Sequence, residues 1–114
     1  MRVSVLGSGS AGNATLVEAD GVRVLIDAGF SGRDLERRLR SVDVEPESLD
    51  GIVITHDHGD HTRGMGILAR RFGLPLYLTP VTRQACAKLL NGSEKVVEYA
   101  STLPFRIGAL EVQP

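Results

Sequence analysis

The stretch HDHGDH, residues His56–His61, decides how the rest of this sequence is interpreted. It holds all 3 histidines of the 114-residue chain, together with two carboxylates. Neutral imidazole and carboxylate are the ligands that zinc and its neighbouring metals prefer. A polar surface loop is the simpler alternative, but it does not explain so high a density of ligands. The stretch therefore predicts a metal site.

The flanking residues place this site between a strand and a helix. The run IVIT at residues 52–55 is apolar and β-branched, as in a buried strand. After the stretch, apolar residues recur at helical spacing, namely Met65, Leu68, Ala69 and Phe72. Because α/β folds bind ligands at the carboxyl ends of strands, we expect the metal site at the end of this strand.

The spacing within the stretch indicates two metals rather than one. In an extended segment His56 and His58 point to the same side, since they are two positions apart. Asp60 and His61 follow where the chain turns into a helix, which can offer a second pair of ligands. Two metals about 3.5–4 Å apart can activate a bridging water and stabilise both reacting oxygens. The predicted reaction class is hydrolysis of an ester, thioester, amide or phosphodiester.

A glycine-rich segment, GSGSAG at Gly7–Gly12, matches the G-x-G-x-x-G pattern of dinucleotide-binding proteins. That function requires a helix to open at the glycines. Here two strand-like runs follow instead, residues 13–18 and 22–26, joined by Asp20-Gly21 as a hairpin. We therefore expect a tight turn between strands, close to the metal site, whose N–H groups are candidates for contact with an anionic substrate.

Asp27 stands directly after the buried run 22–26. An Asp in this position can cap a turn through its own backbone. It can also orient a metal-bound histidine. The presence of the histidine stretch favours the second interpretation.

The remaining segments predict an ordered α/β chain. Ser31 begins an amphipathic helix through Leu35 and Leu39, and its cluster of arginines is either a solvated face or a phosphate contact. A second helix is predicted over Val81–Leu90, ending at residues 91–92. Further strands are predicted at Arg2–Leu6, Leu74–Leu78, Val96–Tyr99 and, as a pair around Gly108, Phe105–Val112.

Composition excludes several classes of function. With 13 basic and 14 acidic residues, the chain has no overall charge that would draw it to nucleic acid or an anionic membrane. Aromatic residues make up 4%, without Trp, which gives poor support for a stacking platform for single strands. Cys86 is the only cysteine, and we expect it to be a small buried residue rather than a reactive thiol. No run is long enough for a signal peptide or a membrane span, so a cytoplasmic protein without membrane contact is expected.

The residues His56–His61 match the HxHxDH signature, and the chain resembles the metallo-β-lactamase superfamily. Asp27 resembles the first acidic motif of that family, and Gly64 resembles the glycine that commonly follows the signature. The opening residues Gly7–Asn13, followed by ATLV, are similar to one branch of small stand-alone bacterial hydrolases. Members of that branch are thought to act on nucleic-acid phosphodiesters as exonucleases.

The resemblance implies an α/β (α+β) fold, the αββα sandwich, with two divalent metal ions, usually zinc, with manganese or iron as alternatives. It implies that His56 and His58 bind the first metal and that Asp60 and His61 bind the second. Asp60 would also be catalytic, by holding the attacking water, whereas Asp27 would support the site without binding metal. The expected function is a nucleic-acid phosphodiesterase. A thioester or lactone hydrolase of the same fold and a non-catalytic metal-binding module are the alternatives.

The chain departs from the family pattern because no His follows His61 and no Asp follows Asp60. The later carboxylates are Glu94, Glu98 and Glu111. A catalytic zinc normally has about three protein ligands and a water, so four ligands leave two metals underfilled. We therefore expect residues 1–114 to be the N-terminal part of a single metallo-β-lactamase-like domain, weak or inactive alone. Such a part exposes apolar surface and is expected to self-associate.

Overall fold

A mixed sheet of six strands, arranged in the order of the chain, lies at the centre of the computed structural model, which describes residues 1–114. The first three strands are antiparallel, and the third to the sixth are parallel. The strands are β1 (Arg2–Gly7), β2 (Ala14–Ala19), β3 (Val22–Ile26), β4 (Gly51–Val53), β5 (Pro75–Leu78) and β6 (Lys95–Glu98).

The predicted hairpin between β2 and β3 is confirmed. Asp20 and Gly21 form its two-residue turn with φ of 53° and 77°. Two positive φ values give a turn whose twist matches that of the flanking strands. The glycine turn, Gly7–Gly12, joins β1 to β2 without a helix, so the geometry that binds a dinucleotide at a helix N-terminus is absent.

Four α-helices follow the antiparallel strands: α1 (Gly32–Ser41), α2 (Gly59–Thr62), α3 (Met65–Phe72) and α4 (Pro80–Ala85). The predicted start of α1 is confirmed, because Ser31 Oγ accepts a hydrogen bond of 3.3 Å from the Asp34 N–H. The helix predicted over Val81–Leu90 is wrong in length. The backbone leaves the helical region at Cys86, with φ −103° and ψ 20°, and a separate 3-10 turn forms at Ala87–Leu89. No helix has the length and apolar character needed to cross a membrane.

The two faces of the sheet are covered differently. On one face, α1 and α3 bury the main apolar core against the strands. Its fully buried members include Leu16, Leu25, Leu35, Leu39, Ile52, Leu68 and Leu76. On the other face lies a hairpin of β7 (Phe105–Ile107) and β8 (Leu110–Val112), which packs over Val22, Val24 and Val53. The α/β class is confirmed, with one helical layer, one large sheet and a hairpin where a full sandwich has a second sheet.

The edge strand β1 leaves apolar side chains uncovered. Val3 and Val5 are 55% and 64% exposed. Val3 pairs with Val17, which pairs with Val24, so these side chains share the face that carries the β7–β8 hairpin. The hairpin covers the middle of this face and not its β1 edge. The exposed apolar surface that the sequence predicts is therefore present.

Candidate metal centre

The histidine stretch leaves the sheet at the carboxyl end of β4. The strand ends at Val53, two residues before the predicted end at Thr55. Beyond Val53, the Ile54 N–H still donates to the Tyr77 carbonyl oxygen of β5, whereas the Thr55 N–H donates to the side chain of Asp27, to Oδ1 at 2.8 Å. Residues 55–59 are exposed, and α2 begins at Gly59. The stretch therefore lies at a strand–helix junction, open to solvent.

The structure brings the three histidine rings together. The ring centroids of His56 and His58 are 5.3 Å apart, and those of His56 and His61 are 3.7 Å apart. Asp60 lies beside His61, with its Oδ2 3.7 Å from Nε2 of the His61 ring. Zinc binds His nitrogen and carboxylate oxygen at about 2.0–2.2 Å, which limits two ligand atoms on one ion to about 4.2 Å apart. The separation of this pair is compatible with a shared metal ion.

Asp27 orients His61. Asp27 has φ 66°, a left-handed conformation that is uncommon outside glycine and that turns the chain sharply after β3. Its buried carboxylate places Oδ2 2.7 Å from Nδ1 of His61. A carboxylate accepts hydrogen bonds, so Nδ1–H of His61 donates to Asp27, and in the neutral ring Nε2 is then the nitrogen available to a metal. The carboxylate reaches across to other segments and does not cap its own turn.

Thr55, which the sequence analysis did not single out, links Asp27 to a second histidine. Its Oγ lies 3.0 and 2.8 Å from the two oxygens of Asp27 and 2.9 Å from Nδ1 of His56. A hydroxyl has a single hydrogen, and Asp27 can only accept, so Thr55 donates to Asp27 and accepts from His56 Nδ1–H. In the neutral His56 ring, Nε2 is then the nitrogen without a proton. A Thr directly before the first histidine is the one signal that could have indicated this role.

The glycine turn lies beside the site, as the sequence predicts, and a second residue that was not singled out makes the contact. Asn13 Nδ2 is 3.1 Å from Asp60 Oδ2 and 3.3 Å from His61 Nε2. The backbones also meet closely here: an added Cβ at Gly29 would lie 1.7 Å from the carbonyl oxygen of Asp60. A residue without a side chain is therefore required at position 29.

Two of the three later carboxylates, Glu94 and Glu98, are paired with arginines. Glu94 forms an ion pair with Arg70, and Glu98 lies 3.2 Å from Arg83. Burial opposes ionisation of Glu94, but hydrogen bonds from the Asn91 backbone and from Arg70 outweigh it and lower its pKa to about 2. Nowhere in residues 1–114 do three His, Cys, Asp or Glu side chains converge closely enough to hold a metal ion together. The donors of the stretch fit a divalent metal in chemistry and in the Asp60–His61 spacing, but their coordination shell is not closed.

Buried Cys86 and partly buried Tyr99 each contact the backbone beside the histidine stretch. Cys86 is buried as predicted, and burial raises the pKa of its thiol. Its Sγ lies 3.5 Å from the carbonyl oxygen of Asp57, as a weak donor. The Tyr99 hydroxyl donates to the carbonyl oxygen of Ile54 at 2.7 Å. Burial and the negative charge of Asp27 raise the pKa of Tyr99, so its hydroxyl remains a donor at neutral pH.

Three of the four arginines of α1 are paired within the chain. Arg37 and Arg38 both contact Asp34, and Arg40 lies 3.0 Å from Glu45. These partners favour the solvated-face interpretation over a phosphate contact.

An open concavity of about 590 Å³ lies at the β2–β3 turn and has no histidine in its lining, so it is separate from the metal centre.

Known proteins resemble this chain in sequence and fold. The sequence profile described as the Metallo-beta-lactamase superfamily matches residues 7–103. Exodeoxyribonuclease WalJ of Streptococcus pneumoniae is 44% identical over 110 residues, which are 91% of this chain and 41% of that protein. Exodeoxyribonuclease YycJ of Bacillus anthracis is 39% identical over 91 residues, 80% of this chain and 34% of that protein. The chain thus spans about two fifths or less of the length of these curated relatives.

The fold is also that of solved structures with little sequence identity. Rm3 metallo-beta-lactamase aligns with a TM-score of 0.79 at 18% identity, over 96% of this chain and 46% of that one. At this identity the likeness concerns the fold alone.

Proposed function

Because this chain belongs to the metallo-beta-lactamase superfamily of hydrolases, we propose that it is the N-terminal part of one metal-dependent nuclease domain that degrades DNA as an exonuclease. One observation carries the metal-dependent part of the proposal. Asp27 contacts Nδ1 of His61 directly and Nδ1 of His56 through Thr55, so Nε2 is the nitrogen that each neutral ring offers to a metal. Such control of ring tautomers is the arrangement that supports metal-binding histidines.

The DNA-directed part of the proposal is supported by the relatives. Two of them are named exodeoxyribonucleases and match most of this chain. The chain itself has little net charge, and three of its four α1 arginines are paired, so we place the groups that bind the DNA backbone outside residues 1–114. The proposed location is the cytoplasm. Cys86 is the only cysteine of the chain and is free, which agrees with a compartment in which proteins are rarely held by disulfides.

In this proposal, His56 and His58 hold one divalent metal, and Asp60 and His61 hold a second. Two zinc ions, with manganese or iron as alternatives, would supply an activated water and stabilise the charge on the leaving oxygen. Asp60 is the proposed catalytic residue, because its carboxylate can accept a hydrogen bond from the attacking water and hold it toward the phosphorus. Asp27 keeps the proton of His61 on Nδ1 throughout.

The test compares the intact protein with its His56→Ala and Asp60→Ala variants, and with Asp43→Ala, an exposed carboxylate outside the site, as control. Elemental analysis is expected to find two metals per intact wild-type chain and fewer in the two site variants. End-labelled DNA is expected to be shortened by the wild type and by the Asp43 variant only, and a chelator is expected to stop the reaction.

A thioester substrate is assayed in parallel. Cleavage of the thioester without loss of DNA would replace the proposed nuclease by a thioester hydrolase. One metal or none in the intact protein, without turnover of either substrate, would instead indicate a non-catalytic metal-binding module.

A further inference from the structure

Asn13, the first residue after the glycine turn, is fixed by its backbone to the metal centre. Its N–H donates to the carbonyl oxygen of Asp60 at 2.7 Å, and its own carbonyl oxygen accepts from the Gly29 N–H at 3.0 Å. The backbone of Asn13 therefore lies between two segments of the site. This anchoring leaves its side chain little choice of direction.

The side chain of Asn13 bridges the glycine turn and the proposed ligands of the second metal. Its Oδ1 accepts from the Gly9 N–H at 3.0 Å, and its Nδ2 donates to the Gly9 carbonyl at 2.8 Å. An amide nitrogen has two hydrogens, so one remains. Three atoms lie within reach of that hydrogen: the Asp60 carbonyl oxygen and Asp60 Oδ2, each 3.1 Å from Nδ2, and His61 Nε2 at 3.3 Å.

The glycine turn itself rests on an aromatic ring. An added Cβ at Gly12 would lie 2.5 Å from the Phe30 ring, so the ring packs directly against the glycine backbone. The guanidinium carbon of Arg38 lies 3.7 Å from the centre of the same ring, and Arg38 also donates to the carbonyl oxygen of Leu6. These contacts give the turn a fixed position, and through Gly9 they fix the Asn13 amide.

We propose that Asn13 is a positioning residue for the Asp60–His61 pair, and that the glycine turn serves to hold its amide there. Asp60 Oδ2 and His61 Nε2 lie 3.7 Å apart, and Asn13 Nδ2 lies within 3.3 Å of both atoms. An amide held against both side chains keeps them side by side before a metal binds. A preorganised pair binds its metal more tightly, because less order has to be created on binding. This inference rests on the proposed metal-binding role of the pair.

The experiment titrates the metal-free intact protein with Zn²⁺ or Co²⁺ against a competing chelator. The variant is Asn13→Ala, and Asn91→Ala, an exposed asparagine in a turn, is the matched control. We expect Asn13→Ala to lower the affinity for one of the two metals by about 10–100-fold, which is the usual effect of removing a residue that orients a ligand. The other metal and the Asn91 control are expected to keep wild-type affinity. The Co²⁺ absorption spectrum is expected to change for the weakened site only.

A second substitution tests the link through the turn. Gly12→Ala pushes the turn off Phe30 and is expected to weaken the same metal. Because both changes act through one amide, the double variant is expected to be no weaker than Asn13→Ala alone. Additive losses would overturn the role assigned to the turn. Should Asn13→Ala fail to fold, as thermal unfolding would show, Asn13→Ser takes its place, since its hydroxyl is too short to reach Asp60.

The outcomes separate this inference from the proposed function. Wild-type or tighter binding of both metals by the Asn13 variants would overturn the positioning role and leave the metal site in place. Equal loss at both metals would show a general structural effect and would also overturn it. Intact wild-type protein that binds no metal would overturn the proposed function, and the positioning role with it.

Discussion

Oδ2 of Asp27 lies 2.7 Å from Nδ1 of His61, although the two residues are 34 positions apart in the chain. We predict that Asp27→Asn lowers metal affinity by about 10–100-fold. An amide cannot accept at both of its heavy atoms, so one of the bonds from Thr55 or His61 is lost. Asn tolerates the left-handed conformation, so the fold is expected to persist. Chelator competition with zinc measures the affinity.

The control for this prediction is Asp43→Asn. Asp43 is also non-glycine at positive φ, 62°, but it is exposed and has no part in the site. Equal metal affinity in the Asp27 variant and the wild type would contradict the assigned role. A loss of affinity in both variants would trace the effect to the backbone conformation instead.

Thr55→Val tests whether Thr55 sets the tautomer of His56. Valine keeps the shape and removes the hydroxyl, so His56 Nδ1 loses its acceptor and both ring tautomers become available. We expect the metal held by His56 to be weakened by about 10-fold or more, with little change at the other metal. Nitrogen NMR of the metal-free protein reports the tautomer directly. Thr102→Val, at an exposed position, is the control, and an unchanged His56 signal in Thr55→Val would refute this prediction.

Two glycines near the site are predicted to respond in opposite ways. Gly29→Ala places a Cβ 1.7 Å from the Asp60 carbonyl oxygen, whereas a Cβ at Gly59 meets nothing within 4 Å. We expect Gly29→Ala to destabilise the protein by roughly 1–3 kcal/mol and to impair metal binding, because the stretch must move away. Gly59→Ala, inside the histidine stretch, is expected to be tolerated. Chemical denaturation and metal titration of both variants check this, and a stable, metal-binding Gly29→Ala would disprove it.

The Glu94–Arg70 pair gives a prediction about pH. The pKa of Glu94 falls from 4.5 to about 2 in the folded chain, so its stabilisation is complete above about pH 4.5 and is lost as the pH falls toward 2. We expect Glu94→Gln to lower stability at pH 7 by roughly 1–3 kcal/mol, through loss of charged hydrogen bonds. The difference in free energy of unfolding between Glu94→Gln and the wild type should disappear as the pH falls from 4.5 to 2. Chemical denaturation across this pH range measures the free energy of unfolding, and Glu47→Gln, at an exposed position, is the control. A stability difference that persists at low pH would contradict the role assigned to the Glu94–Arg70 pair.

The uncovered edge of the sheet predicts self-association of residues 1–114. An exposed edge strand with apolar side chains is a surface that pairs readily with another chain. We expect sedimentation to find a dimer or larger species, and Val5→Lys to shift it toward monomer. Val81→Lys, at a valine that is 74% exposed on α4, is the matched control and should have no effect. A clean wild-type monomer that binds no apolar dye would contradict the prediction.

Much of the fold could be predicted from the sequence because its signals are local. The Asp20-Gly21 turn, the Ser31 cap and the apolar spacing of α3 each depend on neighbouring residues, and each is confirmed. The length of α4 was missed, because apolar spacing through Leu90 does not reveal that the backbone leaves the helical region at Cys86.

The candidate site was only partly predictable for the same reason. The histidine stretch and Asp27 are visible as a ligand cluster and as an Asp after a strand. The roles of Thr55 and Asn13 depend on hydrogen bonds to residues 28 and 47 positions away, which no local pattern reports. The pairing of Glu94 with Arg70 is also a tertiary contact, and it removes a carboxylate that the sequence alone left available. The metal-binding roles of the stretch stay predictions.

The strands of the sheet lie side by side in the order in which they are translated. Each strand that leaves the ribosome can therefore join the open edge left by the one before it, without waiting for a distant segment. Every side chain that is hydrogen-bonded to His56, Asp60 or His61 belongs to residues 13–61. At roughly 5–20 residues per second, the ligand stretch leaves the ribosome seconds before β6 does, so it can be oriented while the protein is still a nascent chain.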